Sequence, residues 1–393
     1  MIINEARRLE HIREYYFSKK LREIQEMREQ GIEVINLGIG NPDLNPSEAV
    51  IQTLQASAAE KGVHGYQSYK GLPALRSAMA NWYQEKFKVN LDASKEILPL
   101  IGSKEGIMHI SMSFLNPGDQ VLVPNPGYPA YKATTLLAGA EVISYELKEI
   151  NSYQPDIDAL EAMDLTKVKI MWINYPHMPT GAPPQADTFK NLIQFAKRNQ
   201  ILLVQDNPYS FILNDQPMSI LAFEGAKEVA LELNSLSKSH NMAGWRIGML
   251  SGAAAYIQTV LKFKSNMDSG MYLPLQKAAV KALSLGQEWY DGMNKVYEER
   301  RKHVYTLMDA LDCVYKTDAV GMFVWARISK AYSDGFELSD LILHDTGVFV
   351  TPGGIFGNAG DQYIRISLCN TIEVFESAIN KINIFKSKAL AEK

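Results

Sequence analysis

The pattern of apolar and polar positions changes from one segment to the next along this chain of 393 residues. From about residue 46 to residue 288, short apolar runs that are often rich in Val and Ile alternate with segments of helical length. Strands interleaved with helices predict a mainly parallel sheet sandwiched by helices, which is an α/β fold. The predicted strands are residues 96–101, 120–124, 141–145, 168–174, 201–205, 228–233 and 247–251, and the helices between them include residues 73–87 and 185–199.

The N-terminal part has the pattern of one amphipathic helix. Residues 1–30 are rich in charge and carry Phe17, Leu21, Ile24 and Met27 at helical spacing. This spacing predicts a helix that docks on its own chain through its apolar face. A swapped arm that packs on a partner subunit is the alternative.

From about residue 289 the pattern becomes that of a second, smaller α+β domain. A long charged helix, to about residue 311, precedes short strands around residues 322–327 and 363–368, and a glycine-rich stretch separates the later elements. We find neither an internal repeat nor a polar linker, so the two domains are expected to pack closely. The predicted division is an N-terminal arm with part of the small domain at residues 1–45, a large domain at 46–288 and a small C-terminal domain at 289–393.

Composition excludes several classes of protein. Hydrophobic residues make up 46% and charged residues 21%, as in ordinary globular proteins, and a net charge of −4 argues against nucleic-acid binding. The two cysteines, Cys313 and Cys369, lie too far apart for a disulfide framework or a cysteine zinc site, and no histidine pair has the HExxH spacing, so no metal is expected. Without a membrane-length apolar stretch or the apolar core of a signal peptide, we expect a cytoplasmic enzyme that binds no membrane.

Chemistry is expected beyond the carboxyl ends of the strands, where open parallel sheets bind their ligands. The apolar run 228–233 is followed by Ser235, Ser237 and Lys238, and Arg246 comes eight residues after the lysine. An isolated lysine here would be a surface turn residue. A desolvated lysine near another cation, however, has a lowered pKa and can form a Schiff base, while two hydroxyls and a guanidinium suit a phosphate monoester. A lysine imine beside a phosphate site indicates pyridoxal phosphate.

Two other strand ends fit this hypothesis. Residues 201–205 run into Asp206, which could simply cap a turn, but whose carboxylate could also keep the pyridine nitrogen of the cofactor protonated. Tyr209, three residues on, could donate a hydrogen bond to the phenolate oxygen of the ring. After residues 96–101, the turn Gly102-Ser103-Lys104 precedes a probable helix start, where backbone N–H groups favour anions; capping by Ser103 is compatible with this.

Taken together, these motifs resemble the class I/II aminotransferases, which are fold type I pyridoxal-phosphate enzymes of the aspartate aminotransferase superfamily. They are Ser-x-Ser-Lys ending at Lys238, the Arg246 that follows, an upstream Asp-x-x-Tyr beginning at Asp206, and a Pro-Thr-Gly loop at residues 179–181. The resemblance extends from about residue 36 to residue 368.

The resemblance implies a role for each matching position around the cofactor. Lys238 would form the internal aldimine and then move a proton between the substrate Cα and the cofactor C4′. Asp206 would pair with the pyridinium and Tyr209 with the phenolate oxygen. The other residues implied to contact the cofactor are Gly102, Ser103, Lys104, Asn174, Ser235, Ser237, Arg246 and Tyr128, an aromatic that would stack on the ring or, alternatively, only pack beside two prolines.

The resemblance also implies the substrate contacts and the assembly. Arg365 would bind the substrate α-carboxylate, with Gly40 and Asn174 nearby. An arginine in a strand could face solvent instead, but its apolar neighbours occupy the opposite face and leave the Arg365 side suited to planar recognition. Tyr66 matches a residue that reaches the phosphate of the neighbouring subunit, which implies a homodimer with shared active sites.

One position departs from the family pattern. Similar enzymes usually carry Asn immediately before Pro-Thr-Gly, where it donates a second hydrogen bond to the phenolate oxygen, and here this position is Met178. Asn174, four residues earlier, matches a different asparagine. A thioether cannot donate, so we hypothesise that only Tyr209 donates to this oxygen and that the aldimine pKa is higher.

The predicted function is that of a ping-pong aminotransferase, which moves an amino group between an L-amino acid and a 2-oxo acid through pyridoxamine phosphate. Glutamate and 2-oxoglutarate are the expected pair for one half-reaction. Residues 264–271 look like those of members that act on alanine, glutamate or LL-diaminopimelate, and no second carboxylate-binding arginine can be placed, which disfavours a strict aspartate preference. The alternatives are a pyridoxal-phosphate β-lyase and a non-catalytic cofactor-binding protein.

Overall fold

The computed structural model describes residues 3–12, 14 and 16–391, so part of the predicted N-terminal arm and residues 392–393 lie outside the described residues. The helices are α1 Tyr16–Glu29, α2 Glu48–Ala58, α3 Pro73–Phe87, α4 Ser103–Phe114, α5 Pro129–Leu137, α6 Ile157–Glu161, α7 Ala186–Asn199, α8 Ala226–Val229, α9 Leu236–Ser239, α10 Ala254–Lys264, α11 Leu273–Leu283, α12 Gln287–Ala310, α13 Gly335–Thr346 and α14 Ile372–Ala391. The strands are β1 Ile35–Asn36, β2 Ile97–Leu100, β3 Gln120–Asn125, β4 Glu141–Glu146, β5 Val168–Asn174, β6 Leu202–Asp206, β7 Ala230–Ser235, β8 Gly248–Gly252, β9 Val314–Tyr315, β10 Phe323–Arg327, β11 Val348–Phe349, β12 Thr351–Pro352 and β13 Tyr363–Ser367. Among the described residues, no helix combines the length and apolar character needed to cross a bilayer.

The large sheet has seven strands in the order β2-β8-β7-β6-β5-β3-β4. Neighbours from β7 to β4 run parallel, whereas β8 is antiparallel to both β2 and β7. Successive residues of one strand enter separate apolar clusters: Leu122 belongs to one cluster, and Val121 and Val123 belong to the other. Helices therefore cover both faces, and the predicted mainly parallel α/β sheet is confirmed.

Parallel pairing brings three strand ends to one edge of this sheet. Asn174 at the end of β5 pairs with Asp206 at the end of β6, and Asp206 in turn pairs with Leu233 of β7. Strand β7 continues to Ser235 and leads directly into α9. Side chains from segments far apart in sequence thus meet at the edge where ligands of such sheets bind.

A smaller antiparallel sheet, β12-β13-β10-β9, carries Arg365 in β13 between Trp325 and Thr351 of its neighbours. The N-terminal helix α1 docks beside the two-stranded parallel sheet β1-β11, since its Ile24 and Met27 share one buried cluster with Val34, with Leu343 of α13 and with Phe349 of β11. The smaller sheet and α1 together form the side of the site that faces the large sheet.

Candidate active site

One cavity of about 480 Å³ lies at the carboxyl edge of the large sheet. Most of the predicted site residues meet in it. Its lining includes Gly40, Ser103, Lys104, Tyr128, Asn174, Asp206, Tyr209, Ser235, Ser237, Lys238, Arg246 and Arg365. Gly102 is the residue before α4, and Tyr66 does not line this cavity.

Lys238 is held in the short helix α9 directly after the buried strand β7. Burial lowers the pKa of Lys238 to about 8, and the nearby guanidinium groups of Arg365 and Arg246 act in the same direction. Its Nζ donates a hydrogen bond to the carbonyl oxygen of Gly40. An amine with this pKa is partly neutral near physiological pH and can therefore act as a nucleophile.

Asp206 ends β6 and is 4% exposed. Its Oδ2 accepts a hydrogen bond from the hydroxyl of Tyr131 at 2.9 Å, whereas its buried Oδ1 has no hydrogen-bond partner among the described residues. Burial raises the pKa of Asp206 to about 7, and the hydrogen bond from Tyr131 opposes the shift. One oxygen of this carboxyl group is thus fixed, and the other is open to a donor from a ligand.

Tyr131 was not predicted as a site residue from the sequence. The ring of Tyr131 stacks on Trp172 with 4.9 Å between centroids and an interplanar angle of 6°, which fixes the hydroxyl that reaches Asp206. Tyr131 follows Tyr128 by three residues at the start of α5, a spacing that places both on one side of a helix. The spacing from Tyr128 was the one sequence signal for Tyr131, but its partner Asp206 lies 75 residues further along the chain and cannot be read from it.

A cationic cradle forms where α4 begins. Gly102 precedes this helix with φ +86°, and a Cβ there would lie 2.2 Å from Nη2 of Arg246, so glycine allows the guanidinium to approach the helix start. Helix α4 begins at Ser103 rather than near residue 105 and has no side-chain cap, so Ser103 is not the capping residue that sequence analysis allowed. The backbone N–H groups of a helix start and a guanidinium beside them favour an anion.

The two predicted hydroxyls lie opposite this helix start. Ser235 Oγ donates to Ser237 Oγ at 2.8 Å and accepts a hydrogen bond from the backbone N of Ser237 at 3.1 Å. Arg246 itself is anchored through Nη1, which donates to the carbonyl oxygen of Ala243 at 2.8 Å. Both serines and Arg246 line the same cavity as Lys238.

Arg365 lies buried among aromatic rings on the other side of the cavity. Its Cζ is 3.9 Å from the ring centroid of Phe323, 4.7 Å from that of Phe356 and 5.9 Å from that of Phe17. Its Nη2 donates to the carbonyl oxygen of Gly38 at 2.8 Å. The predicted semi-buried arginine is therefore a rigid, largely desolvated guanidinium, and the three rings around it were not predicted.

Asn174 and Met178 are tied to each other at the end of β5. Asn174 Nδ2 donates to the carbonyl oxygen of Asp206 at 2.6 Å, and its Oδ1 accepts from the backbone N of Met178 at 2.8 Å. Met178 is buried, and Nη1 of Arg365 donates to its Sδ at 3.2 Å. In this geometry the amide of Asn174 braces Asp206 and the Met178 turn, while its contacts to cofactor and substrate stay predictions.

Comparison with known proteins decides the family. The model of the family "Aminotransferase class I and II" matches residues 32–382. The chain belongs to this family.

Relatives of this chain match it over nearly its full length. The aminotransferase is 42% identical over 386 residues to an LL-diaminopimelate aminotransferase of Dehalococcoides mccartyi, covering 98% of this chain and 99% of the relative. It is 39% identical over 382 residues to the protein of the same name from Moorella thermoacetica, covering 97% and 98%. Among solved structures, it matches substrate-bound BacF of Bacillus subtilis with a TM-score of 0.93 and 35% identity over 98% of both chains. It matches an aminotransferase from Staphylococcus aureus with a TM-score of 0.88 and 29% identity, covering 97% and 99%.

Enzymes of this family depend on pyridoxal phosphate, and the aminotransferase has a place for each part of that cofactor. The unpartnered Oδ1 of Asp206 suits the N–H of a pyridinium ring. The uncapped start of α4, with Arg246 close to Gly102, suits the phosphate. Lys238 lies in the same cavity as both, so the residues present fit the cofactor.

Proposed function

We propose that this aminotransferase exchanges amino groups between an L-amino acid and a 2-oxo acid, with glutamate and 2-oxoglutarate as one pair. The observation that carries the proposal is that Lys238, with its lowered pKa, and the buried guanidinium of Arg365 line one cavity of about 480 Å³. A substrate amine and its α-carboxylate need these two groups. The relatives are named for LL-diaminopimelate, so this amino acid belongs in the test.

Each side chain has a task that follows from its surroundings. Pyridoxal phosphate, when bound, supplies an electrophilic aldehyde and a ring that takes up electrons from the substrate Cα. Asp206 Oδ1 would accept a hydrogen bond from the ring N–H of the bound cofactor, and Lys238 Nζ would accept the proton that leaves the substrate Cα and return it to the cofactor. Arg365 binds the α-carboxylate as a planar pair, and the rings of Phe323 and Phe356 exclude water from it.

We further propose a homodimer with shared sites. Tyr66 is 93% exposed, and Tyr69, Met267 and Tyr272 are also exposed on adjoining loops. These loops are tied together, because Lys264 donates to the carbonyl oxygen of Tyr69 at 3.2 Å. We call Tyr66, Tyr69, Met267 and Tyr272 the Tyr66 patch. An exposed apolar patch of this kind favours burial against a second copy, in which Tyr66 would reach the phosphate of the neighbouring site.

The remaining expectations are part of the same proposal. The large domain would span residues 46–288 and the small domain the segments 1–45 and 289–393, because the large sheet and the antiparallel sheet come from these separate stretches. A cytoplasmic location is supported by two buried cysteines that are both free.

The test is a panel of amino donors offered to the holoenzyme. Loss of the visible absorbance of the bound cofactor is followed for glutamate, alanine and LL-diaminopimelate in the wild type, Lys238→Ala and Lys330→Ala. We expect glutamate and at least one other donor to bleach the wild type, the exposed Lys330→Ala variant to behave like it, and Lys238→Ala to lose at least about 1,000-fold in rate.

Three results would contradict the proposal. Equal rates in wild type and Lys238→Ala would remove Lys238 from the reaction. Release of pyruvate and ammonia without an added oxo acid would identify a β-lyase. A spectrum that no amino acid changes would identify a cofactor-binding protein without catalysis.

A further inference from the structure

Two segments from opposite ends of the chain carry the groups that the proposed function assigns to the substrate α-carboxylate. Gly40 lies on the loop that follows β1, and Arg365 lies in β13. The backbone N of Ser367 donates to the carbonyl oxygen of Leu37 at 2.8 Å. Nη2 of Arg365 donates to the carbonyl oxygen of Gly38 at 2.8 Å. Both bonds lie before Gly40, so the position of Gly40 also depends on what holds the loop beyond it.

Arg300 of α12 holds both segments at once. It is 4% exposed and forms a bidentate pair with Asp43, with 2.7 Å from Nη1 to Oδ1 and 2.7 Å from Nη2 to Oδ2. Nη1 also donates to the carbonyl oxygen of Leu368 at 3.1 Å. Asp43 comes three residues after Gly40, and Leu368 comes three residues after Arg365. We call Arg300, the Asp43 carboxylate and the Leu368 carbonyl the Arg300 clamp.

The Arg300 clamp is built to fix a geometry. The buried ring of Tyr297, one turn earlier in α12, lies with its centroid 5.8 Å from Cζ of Arg300. A planar guanidinium orients two carboxylate oxygens at once, which a lysine ammonium cannot do. Replacing a buried ion pair with apolar residues is often neutral for stability, so stability alone does not account for this pair.

A displacement of Gly40 would change the contacts of the cavity directly. Nζ of Lys238 donates to the carbonyl oxygen of Gly40. A Cβ on residue 40 would lie 2.3 Å from Cζ of Phe323, so the backbone of Gly40 is packed against this ring. The same ring packs on Arg365, with 3.9 Å from the guanidinium Cζ to the ring centroid. Gly40, Phe323 and Arg365 therefore form one packed layer, and the Arg300 clamp ties together the segments that carry its two ends.

We infer that Arg300 is a positioning residue for the substrate α-carboxylate, because its clamp sets the spacing between Gly40 and Arg365. This inference rests on the proposed aminotransferase function. In the described part of the chain, the lining of the cavity includes neither Arg300 nor Asp43, so both act through the groups that they hold. A loosened clamp should weaken ligands that carry the carboxylate and leave ligands without one unaffected.

A pair of reagents separates this role from a general structural one. Aminooxyacetate and O-methylhydroxylamine both react with the bound cofactor through an aminooxy nitrogen and change its visible absorbance, but only aminooxyacetate carries a carboxylate. Second-order rate constants are measured with the holoenzyme for the wild type, Arg300→Lys, Asp43→Asn and the matched control Arg301→Lys. Arg301 is the next residue of α12 and donates to the carbonyl oxygen of Ala319 at 3.1 Å, so the control makes the same substitution outside the clamp.

The expected loss is confined to the reagent with the carboxylate. Arg300→Lys and Asp43→Asn should each slow aminooxyacetate about tenfold and change the rate with O-methylhydroxylamine by less than about twofold. Arg301→Lys should match the wild type with both reagents. The variant that combines Arg300→Lys and Asp43→Asn should be no slower than Arg300→Lys, because the two residues form one clamp.

Binding without reaction gives an independent measure. Glutarate, a dicarboxylate without an amino group, can bind Arg365 but cannot be transaminated. Its dissociation constant with the holoenzyme, measured by calorimetry, should rise about tenfold in Arg300→Lys and stay unchanged in Arg301→Lys.

Equal slowing of both reagents by Arg300→Lys would indicate a general structural role and would overturn the inference. Clamp variants that match the wild type in both rates and in glutarate binding would overturn it as well. If Arg300→Lys does not fold, Asp43→Asn, which keeps the shape of the side chain, decides the same question. The proposed function fails in a different way, since no amino donor would then bleach the wild type.

Discussion

The carboxyl group of Asp206 is buried, and burial disfavours its charged form. Burial raises its pKa from 3.8 to about 7, so between these values the folded protein binds a proton that the unfolded chain does not. Stability therefore falls as the pH rises through this window, by about 4 kcal/mol in total. A pyridinium N–H at Oδ1 would offset this penalty, so the carboxyl group that would hold the cofactor ring destabilises the cofactor-free protein.

The first prediction at this scale concerns the cofactor-free protein. Asp206→Asn removes the charge and keeps an oxygen for Tyr131, so the variant should be more stable than the wild type, and the gain should grow by about 2 to 3 kcal/mol from pH 5 to pH 8. Urea unfolding at fixed protein concentration measures it. Asp158→Asn, at an exposed position in α6, is the control and should show no such trend. A gain that is the same at both pH values would refute the assignment.

The second prediction concerns Met178, whose Sδ lies 3.2 Å from Nη1 of Arg365. Its thioether accepts hydrogen bonds weakly and donates none. Met178→Asn should supply a donor to the phenolate oxygen and so lower the pKa seen in the pH titration of the visible absorbance, by about one unit. Met178→Leu, which changes the packing without adding a donor, should leave this pKa in place. Equal values for the two variants would sink the hypothesis.

At the scale of elements, the sequence pattern located the seven strands of the large sheet, but their exact ends depend on local backbone geometry. The strand predicted at residues 228–233 lies at Ala230–Ser235 in the structure. It begins two residues later because Gly225, with φ +74°, starts the helical turn α8. The shift matters, since Ser235 becomes the last residue of the strand and leads straight into Lys238. Likewise, the positive φ of Gly102 lets α4 begin at Ser103, which brings the first backbone N–H groups of the helix to the cationic cradle beside Arg246.

The pattern of apolar positions predicted neither the direction of a strand nor its neighbours in the sheet. An apolar run has the same period in either direction, so nothing in residues 247–251 indicates that β8 lies antiparallel between β2 and β7. Apart from Gly102 and Tyr66, the site residues that the resemblance matched line one cavity, because matched motifs carry their spatial relations with them. Tyr131 and the three rings around Arg365 carry no motif, and their function arises only from tertiary contacts.

At the scale of the whole molecule, a single chain leaves one predicted contact to the phosphate unmade. Tyr66 is 93% exposed and does not line the cavity of its own chain. The other members of the Tyr66 patch lie on the same loop and on the adjoining loop, and Lys264 donates a hydrogen bond to the carbonyl oxygen of Tyr69. If a second copy covers this patch, each cofactor site takes Lys238 from one chain and Tyr66 from the other.

Heterodimers separate this arrangement from one in which Tyr66 serves its own chain. Lys238→Ala and Tyr66→Phe chains are co-expressed with different tags, and the mixed dimers are purified. If sites are shared, each mixed dimer contains one complete site, because the chain that keeps Lys238 meets an intact Tyr66 on the Lys238→Ala chain. Cofactor should leave that site about tenfold more slowly than it leaves the Tyr66→Phe homodimer, as expected for one hydrogen bond to a charged phosphate. If Tyr66 instead acts within its own chain, the mixed dimer and the Tyr66→Phe homodimer will release cofactor at the same rate, and the shared-site dimer is wrong.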